Sequence, residues 1–273
     1  MRIGIPRALL YHEYGALWKG YLERLGHEVV LSGETTLAML QRGSQLSIDE
    51  TCLSAKLWAG HVDALIGQCD VLFVPRIASF GRLRHMCTRF EALPDVTRCL
   101  FRQSGQRIVD IDVDELQKHR EDEAYIGLGV ELGATRRDAR RAWRETVREE
   151  ERAFRLRVKE EEAKLAAPGL KVLIAAHAYV WQDAYIGRPV QRFLQENGVT
   201  AIRADLIDRD RALKKSAELS PTLRWEPDRV IMGGLALRMD RADGIILMSA
   251  FPCGPGAMVN EMIRRKLTGV PML

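Results

Sequence analysis

Short apolar runs alternate with helix-like patterns through the first part of the chain. Each run has the length of a buried strand, and the segments between the runs repeat apolar residues at helical spacing. Because strands that alternate with helices form βαβ units, the pattern predicts an α/β fold with a parallel sheet. The predicted strands are Arg2–Ile5, His27–Leu31, Val71–Val74 and Arg107–Ile111, and the predicted helices are Tyr14–Leu25, Leu37–Leu40, Leu53–Ile66 and Pro94–Phe101.

A long charged stretch from Glu121 to Leu165 interrupts this alternation. Apolar residues recur along it at spacings of four and seven, which predicts a solvated helix with one narrow apolar stripe. Four arginines form a second stripe on this helix. The stripe could contact an acidic partner or RNA, but a solvated connector helix with i,i+4 ion pairs such as Arg141–Glu145 is the favoured interpretation. The apolar stripe is Trp143, Val147, Phe154, Val158 and Leu165, and the arginine stripe is Arg140, Arg144, Arg148 and Arg152.

A second α/β segment follows the turn at Pro168-Gly169, and the last residues, Val270–Leu273, resemble the start of another strand. We therefore expect three parts: an α/β lobe at residues 1–118, a helical connector at 119–168 and a second α/β lobe at 169–273. In this second lobe the predicted strands are Lys171–Ala175, Val199–Ala204 and Gly244–Met248, and the predicted helices are Val190–Leu194, Val230–Met239 and Met258–Leu267.

Composition places the chain among globular proteins of ordinary kind. It has 273 residues, 47% hydrophobic and 29% charged, with a formal net charge of +4. No apolar run approaches the ~20 residues of a membrane span, and the first residues lack a signal-peptide pattern, so a cytoplasmic protein is expected. Arginine and glutamate are interleaved, which argues against a nucleic-acid binder with one basic face. Five cysteines in such a chain are expected to be thiols or metal ligands rather than disulfides.

Motifs for nucleotide binding and hydrolysis are missing. The chain has no Gly-x-x-x-x-Gly-Lys-[Ser/Thr] loop, and the glycines at Gly127, Gly129 and Gly133 have the wrong spacing and follow a helical pattern. Neither Gly-x-Ser-x-Gly nor His-Glu-x-x-His occurs. The sequence thus gives no support for a nucleotide bound by this chain or for a hydrolase.

The cysteines differ in their positions relative to the predicted strands and helices. Cys52 precedes a helix, Cys87 lies in a loop after a strand, and Cys253 lies in a Pro-Cys-Gly-Pro turn after a strand. These are the positions at which open α/β sheets gather ligands. Cys69 and Cys99 fall before a strand and within a helix, and we expect both to be buried structural residues. Spacing alone leaves open whether the first three are metal ligands or ordinary core thiols.

Several motifs, in this order, resemble one known family. Together they are similar to the acyl-CoA dehydratase activase-related proteins, which are cysteine-rich relatives of 2-hydroxyacyl-CoA dehydratase subunits and double-cubane cluster proteins. The likeness covers nearly the whole chain. The motifs are Ile3-Gly-Ile-Pro-Arg-Ala-Leu9 with Tyr11 and Trp18, Asp49-Glu-Thr-Cys-Leu-Ser-Ala-Lys56, Val74-Pro-Arg76, Cys87-Thr-Arg-Phe-Glu-Ala-Leu-Pro-Asp95, Asp243-Gly-Ile-Ile246 and Phe251-Pro-Cys-Gly-Pro255.

The resemblance implies two flavodoxin-like parallel-sheet lobes joined by the long helix. It also implies an iron–sulfur cluster, 4Fe–4S or double-cubane, held in the cleft between the lobes by Cys52, Cys87 and Cys253. Candidate neighbours of the cluster are Glu50, Lys56, Arg76, His85 and Tyr179, together with Arg84 and Arg89; for each a plain surface or packing role is the alternative. His177, Asp183 and Tyr185 also fit the family pattern near the cleft.

Three departures from the family pattern stand out. Ser54 replaces a proline, Thr88-Arg89 replaces Pro-Lys, and the sequence stops near where relatives continue, which leaves closure of the second lobe open. The implied function is to receive low-potential electrons from an ATP-hydrolysing activator of the actin/Hsp70-like fold, for reductive or radical 2-hydroxyacyl-CoA dehydratase-like chemistry. Pairing with a second copy or a related subunit is also implied. The alternative is a zinc-bound or metal-free α/β scaffold protein without redox activity.

Overall fold

Parallel strands form the centre of both halves of the molecule. The computed structural model describes residues 1–273, and the chain divides into two units, Met1–Glu151 and Arg152–Leu273. The boundary falls inside one long helix. All strand pairs in the sheets are parallel, so the structure confirms the α/β fold expected from the sequence.

The first unit contains a four-stranded sheet and a separate two-stranded sheet. Its strands are β1 (Arg2–Ile5), β2 (Glu28–Leu31), β3 (Val71–Phe73), β4 (Arg76–Ser79), β5 (Arg107–Val109) and β6 (Asp112–Asp114). The larger sheet has the order β2-β1-β3-β5, and β4 pairs with β6. If the strands of the larger sheet alone are numbered 1 to 4 along the chain, their order is 2-1-3-4. Flavodoxin-like doubly wound sheets begin with the same order.

Five helices connect these strands, and two more follow β6. They are α1 (Tyr11–Arg24), α2 (Leu37–Gln45), α3 (Leu53–Asp63), α4 (Thr88–Glu91), α5 (Leu93–Leu100), α6 (Glu121–Glu131) and α7 (Arg136–Ala166). Helices α2 and α3 pack with their backbones in contact. A Cβ built on Gly43 would lie 1.8 Å from the Lys56 carbonyl oxygen, and one on Gly60 would lie 2.1 Å from the Met39 carbonyl oxygen. Only glycine permits this approach.

The charged stretch contains two helices, so the prediction of one continuous helix from Glu121 to Leu165 was wrong. Gly133 has a φ of +100°, which ends α6 because residues with a Cβ rarely adopt that conformation. Thr135 then accepts a hydrogen bond from the Asp138 amide at 3.1 Å, which caps the start of α7. The predicted apolar stripe faces inward in part: Trp143 and Leu165 are buried, while Val147, Phe154 and Val158 are half-buried.

An aromatic cluster fastens α6 and α7 to α1. The rings of Tyr125 and Trp143 stack at a centroid distance of 4.0 Å, and Tyr21 meets both edge-on. The indole of Trp18 donates to the Tyr125 hydroxyl at 2.8 Å, and the Tyr21 hydroxyl donates to the Tyr125 carbonyl at 2.6 Å. Burial raises the pKa of both tyrosines, so their hydroxyls stay protonated.

The second unit contains three parallel strands, β7 (Lys171–Ala175), β8 (Thr200–Arg203) and β9 (Gly244–Leu247), which form a sheet of order β8-β7-β9. The last residues of the chain pair with β9: the Ile245 amide donates to the Pro271 carbonyl and the Leu247 amide to the Leu273 carbonyl, as the predicted extra strand requires. The elements of this unit are β7 (Lys171–Ala175), α8 (Ala178–Trp181), α9 (Gly187–Glu196), β8 (Thr200–Arg203), α10 (Arg209–Leu219), α11 (Glu226–Ala236), β9 (Gly244–Leu247) and α12 (Gly254–Lys266).

A buried guanidinium ties the end of α7 to the rest of the second unit. The Arg238 side chain is 1% exposed, and its Nε donates to Glu162 at 2.8 Å. Its Nη1 and Nη2 donate to the carbonyls of Arg203 and Leu206 at 3.0 and 2.8 Å. Burial alone would raise the pKa of Glu162, but the hydrogen bonds and charges of Arg238 and Arg241 outweigh burial and lower it. The Glu162 carboxylate is therefore ionised near neutral pH.

No helix of the molecule combines the length and the apolar character that crossing a membrane would require.

The two glycines of α6 provide a matched test of the fold. A Cβ on Gly129 would lie 2.5 Å from the Tyr21 hydroxyl and 2.7 Å from the Ala139 Cβ, whereas a Cβ on Gly127 meets nothing within 4 Å. We expect Gly129→Ala to lower the free energy of unfolding by about 1–3 kcal/mol. Gly127→Ala should raise it by about 0.5–1 kcal/mol, because alanine is the better helix former. Urea unfolding curves of the two variants measure both effects, and equal losses would contradict this account of the glycines.

Arg238 and Arg241 form a second matched pair, since both contact Glu162 but only Arg238 is buried. Arg238→Met removes the donor from two backbone carbonyls, one buried and one partly buried, and we expect a loss of about 2–5 kcal/mol in stability. Arg241→Met removes a pair whose side chains are 45% and 41% exposed, and should cost less than about 1 kcal/mol. Chemical denaturation would measure both losses. Comparable losses would show that Arg238 does not anchor the unit.

Candidate functional site

Each cysteine that the sequence singles out as a ligand occupies the N-cap position of a helix. Cys52 precedes α3, Cys87 precedes α4 and Cys253 precedes α12. All three have extended backbone conformations, with ψ angles of 147°, 139° and 104°. At an N-cap the side chain meets the free amides of the first helical turn, which favour a negative charge. Of the three, Cys253 accepts such an amide with its side chain, while Cys52 and Cys87 make no side-chain cap hydrogen bond.

The topology places these N-caps at the carboxyl edges of the sheets. Helix α3 runs back to the start of β3, and α4 and α5 run back to the start of β5, so the N-termini of α3 and α4 lie where the strands end. Helix α12 starts directly after the turn that follows β9. Cys52 and Cys87 thus belong to the carboxyl edge of the sheet in the first unit, and Cys253 to that of the second unit.

The surroundings of these cysteines suit a ligand that accepts hydrogen bonds. The Gly256 amide donates to Cys253 Sγ at 3.3 Å, and a Cβ on Gly256 would lie 3.2 Å from the same sulfur. Ser54, in the first turn of α3, has a buried hydroxyl that makes no hydrogen bond. Such an orphaned group next to Cys52 is costly unless a ligand satisfies it. Thiolates are the usual ligands of iron–sulfur clusters, and a hydroxyl can donate a hydrogen bond to a cluster sulfur, so the residue types present fit such a group.

The two remaining cysteines differ from the capping ones. The Cys69 thiol donates to the Leu65 carbonyl at 3.6 Å and lies against Gly4, and burial raises its pKa. It is therefore held as a protonated thiol.

Cys99 is exposed on α5, so the prediction that it is buried was wrong. The reason is that α5 turns Leu93, Pro94 and Thr97 inward and leaves Cys99 on the outer side.

The predicted cationic neighbours have different surroundings. The Arg76 guanidinium donates to the Asp95 carboxylate at 2.7 Å and to the Glu91 carbonyl at the end of α4. Its positive charge is therefore already paired with Asp95. Lys56 donates to the Asp49 carbonyl at 3.1 Å, which closes the loop before Cys52. The Arg84 guanidinium lies over the Phe80 ring at 5.7 Å. Arg89, in the first turn after Cys87, is exposed.

Glu50 and His85 flank the two cysteines of the first unit. Glu50 is exposed in the loop before Cys52. His85 is half-buried and forms an antiparallel bridge with Ser79, so that residues 79–86 make a short hairpin that ends just before Cys87. Within residues 1–273, no group of three or more His, Cys, Asp or Glu side chains is arranged as a metal site.

The predicted polar residues of the second unit separate into two kinds. His177 is the N-cap of α8 at the end of β7, and its ring stacks on Tyr179 at 4.9 Å with an interplanar angle of 8°. Asp183 is buried, and its carboxylate accepts the amides of Tyr185 and Ile186 at 2.8 and 2.9 Å, which shapes a turn. Tyr185 is exposed.

The partner of His177 could not be predicted from the sequence. Its Nε2 lies 3.2 Å from the Asp228 Oδ1 in the first turn of α11, and both side chains are largely buried. No local pattern marks Asp228, because the two residues are far apart in the sequence and only the fold brings them together.

A second buried histidine was also missed. His61 on α3 is fully buried, with Nδ1 at 2.7 Å from the Ser32 hydroxyl and Nε2 at 2.9 Å from the Thr35 hydroxyl. Ser32 in turn accepts the Arg7 amide at 2.8 Å. These bonds tie the loops after β1 and β2 to the helix that Cys52 caps, which indicates a structural role.

Comparison with known families gives one match. Residues 2–207 match the model of the family described as CoA enzyme activase uncharacterised domain (DUF2229), which covers more than half of the chain. The matched range includes Cys52 and Cys87 and ends before Cys253. No curated protein matches the chain.

If Cys52 and Cys87 are present to bind a ligand and not to cap their helices, replacing either one by serine should not destabilise the metal-free protein. Neither Cys52 nor Cys87 makes a side-chain cap hydrogen bond, whereas serine is among the best N-cap residues. We expect Cys52→Ser and Cys87→Ser to raise the unfolding free energy by about 0.5–1 kcal/mol in chelator and reductant. Cys69→Ser is the control and should lower stability, because its half-buried sulfur packs on Gly4. Urea unfolding curves measure these changes. A large loss of stability in Cys52→Ser or Cys87→Ser would show that the thiol has a structural role.

Proposed function

Because the chain belongs to the CoA enzyme activase uncharacterised domain family, we propose that it is an iron–sulfur component of a CoA-enzyme activation system. It would receive low-potential electrons from an ATP-dependent activator and serve reductive or radical chemistry like that of the 2-hydroxyacyl-CoA dehydratases. The proposal thus places the chain between an energy-consuming activator and the reaction that needs its electrons.

The placement of the cysteines supports this proposal most strongly. N-cap positions normally carry Ser, Thr, Asp or Asn, and here three of them carry cysteine at the carboxyl edges of parallel sheets. The other two cysteines lie elsewhere and behave as a protonated thiol and an exposed surface residue. A random distribution of core thiols would not select these positions.

Cys52, Cys87 and Cys253 are the residues that would hold the cluster. When bound, it supplies one-electron transfer at low potential and an iron that no cysteine occupies. The first-turn amides of α3, α4 and α12 would then face the cluster's negative charge. The Ser54 hydroxyl would gain the acceptor it lacks, and Arg89 would add a positive charge beside Cys87.

ATP hydrolysis is assigned to a partner. This chain lacks a phosphate-binding loop. Gly127, Gly129 and Gly133 lie in or just after α6, where Gly129 allows a close helix contact and Gly133 ends the helix. The family resemblance suggests an activator of the actin/Hsp70-like fold and a second, related subunit. Both partners are part of the proposal.

Metal analysis tests the proposed ligands. Protein purified and reconstituted without oxygen should contain iron and acid-labile sulfide in equal amounts, and dithionite should change its visible and EPR spectra. We expect Cys52→Ser, Cys87→Ser and Cys253→Ser each to lose most of the bound iron, because serine is a poor ligand for this cluster. Cys69→Ser and Cys99→Ser are the matched controls and should keep it.

Two outcomes would contradict the proposal. Iron content that is unchanged in all three capping variants would exclude these residues as ligands. Zinc near one atom per chain without labile sulfide would instead indicate a structural zinc protein.

A further inference from the structure

Helix α7 presents a row of arginines to solvent along its first half. Arg137, Arg141, Arg144 and Arg148 follow one another at spacings of four, three and four residues, so they lie on one face of the helix. All four residues are exposed. At a rise of about 1.5 Å per residue, the row is about 16.5 Å long. These four residues are called the arginine row below.

The carboxylates nearest to the row pair with other arginines. Arg24, on α1, has its Nε 3.9 Å from Glu145 Oε2 and also pairs with Glu149. On α6, the Glu123 carboxylate lies 3.9 Å from the Arg140 guanidinium. Arg140 is therefore drawn toward α6 and does not belong to the row.

Three members of the row consequently make no ion pair. The pair of Arg141 with Glu145 expected from the sequence does not form, because Arg141 donates to the Asp138 carboxylate at 2.9 Å instead. The other three arginines have no carboxylate within ion-pair distance. The interpretation of α7 as a solvated connector held by i,i+4 pairs thus fails for this face.

The arginine row weakens the helix that carries it. Like charges three or four residues apart repel one another on a helix surface. Arg137 also lies in the first turn of α7, where the helix dipole disfavours a positive charge. Because the row neither stabilises α7 nor pairs within the fold, its role is expected in a contact with another molecule.

The surroundings of the row indicate which anionic partner it fits. Between residues 137 and 148 no apolar or aromatic residue is exposed. A membrane surface would require exposed apolar side chains, and sites for single-stranded nucleic acid combine a groove with stacking aromatic rings. The row instead lies on a convex helix. A partner helix needs only a matching row of carboxylates, because helices that pack side by side pair charges along the edges of their contact.

We propose that the arginine row is a docking surface for an acidic helix of a partner protein. Carboxylates spaced four, three and four residues apart on that helix each face one arginine, and the planar guanidinium suits bidentate pairing with a carboxylate. Exposed ion pairs are individually weak, so the contact depends on several members of the row and weakens with salt. The row contains none of the capping cysteines, so this proposal goes beyond the proposed function and needs no bound cluster.

The test measures binding of a fluorescein-labelled, alanine-based helical peptide to the full chain. The peptide carries four glutamates at spacings of four, three and four residues, and the control peptide carries glutamine at the same positions. At about 20 mM salt, fluorescence anisotropy should rise with the glutamate peptide and not with the glutamine peptide. Raising the salt concentration to about 0.5 M should abolish the rise, because the charges are then screened.

A variant of the row tests whether these arginines bind the peptide. Arg137→Gln/Arg144→Gln/Arg148→Gln removes the three unpaired members and should weaken binding of the glutamate peptide at least tenfold. The urea midpoint of this variant should be no lower than that of the wild type, since the repulsion between like charges is reduced. Weaker binding is then not a result of unfolding.

The control variant is Arg102→Gln/Arg192→Gln/Arg224→Gln. It loses the same charge from exposed arginines outside α7 and should bind the glutamate peptide like the wild type. Equal weakening in both variants would show that net charge alone attracts the peptide, and would overturn the proposal. Wild-type protein that fails to bind the glutamate peptide, or that binds oligouridylate of the same charge more tightly, would overturn an acidic helix as the partner.

Discussion

Parallel strands constrain where a helix can begin, and the candidate chemistry of this protein depends on that constraint. In a βαβ unit the helix that leads into the next parallel strand runs back along the sheet, so the N-terminus of that segment lies at the carboxyl edge. Both units obey this rule with their own sheets. Cys52, Cys87, His177 and Cys253 are all N-cap residues, so each lies beside first-turn amides that have no helical partner.

The side chains at these four N-caps do not all cap their helices. Cys253 accepts the Gly256 amide at 3.3 Å, while Cys52, Cys87 and His177 make no side-chain cap hydrogen bond. Thr36 before α2 and Asp208 before α10 accept first-turn amides with their side-chain oxygens, as caps that stabilise helices do. Cysteine and histidine perform that role poorly. We propose that cysteine stands at three of these N-caps, on the edges where α/β sheets bind ligands, for ligand binding rather than for helix stability.

The strands and most helices could be predicted because each carries its own local pattern, as with the buried run at Val71–Phe73. The two-stranded sheet could not, since Arg76–Ser79 and Asp112–Asp114 are short and polar and become strands only by pairing with each other. Two signals were present but overlooked: Gly133 and the Thr135-x-x-Asp138 pair mark the break before α7. The exposure of Cys99 depends on which face α5 turns inward, and helical spacing alone does not determine that.

Buried polar pairs between residues far apart in the sequence could not be predicted, and the structure shows that these pairs have different surroundings. Arg238 is more deeply buried than His177, yet its Nε, Nη1 and Nη2 all donate to Glu162 or to backbone carbonyls, so the fold itself accounts for it. His61 likewise has a hydroxyl at each ring nitrogen. The His177–Asp228 pair instead lines a cavity with Ser249 and Asn260. The three buried groups thus differ in their surroundings, and burial of a polar side chain is not by itself a sign of function.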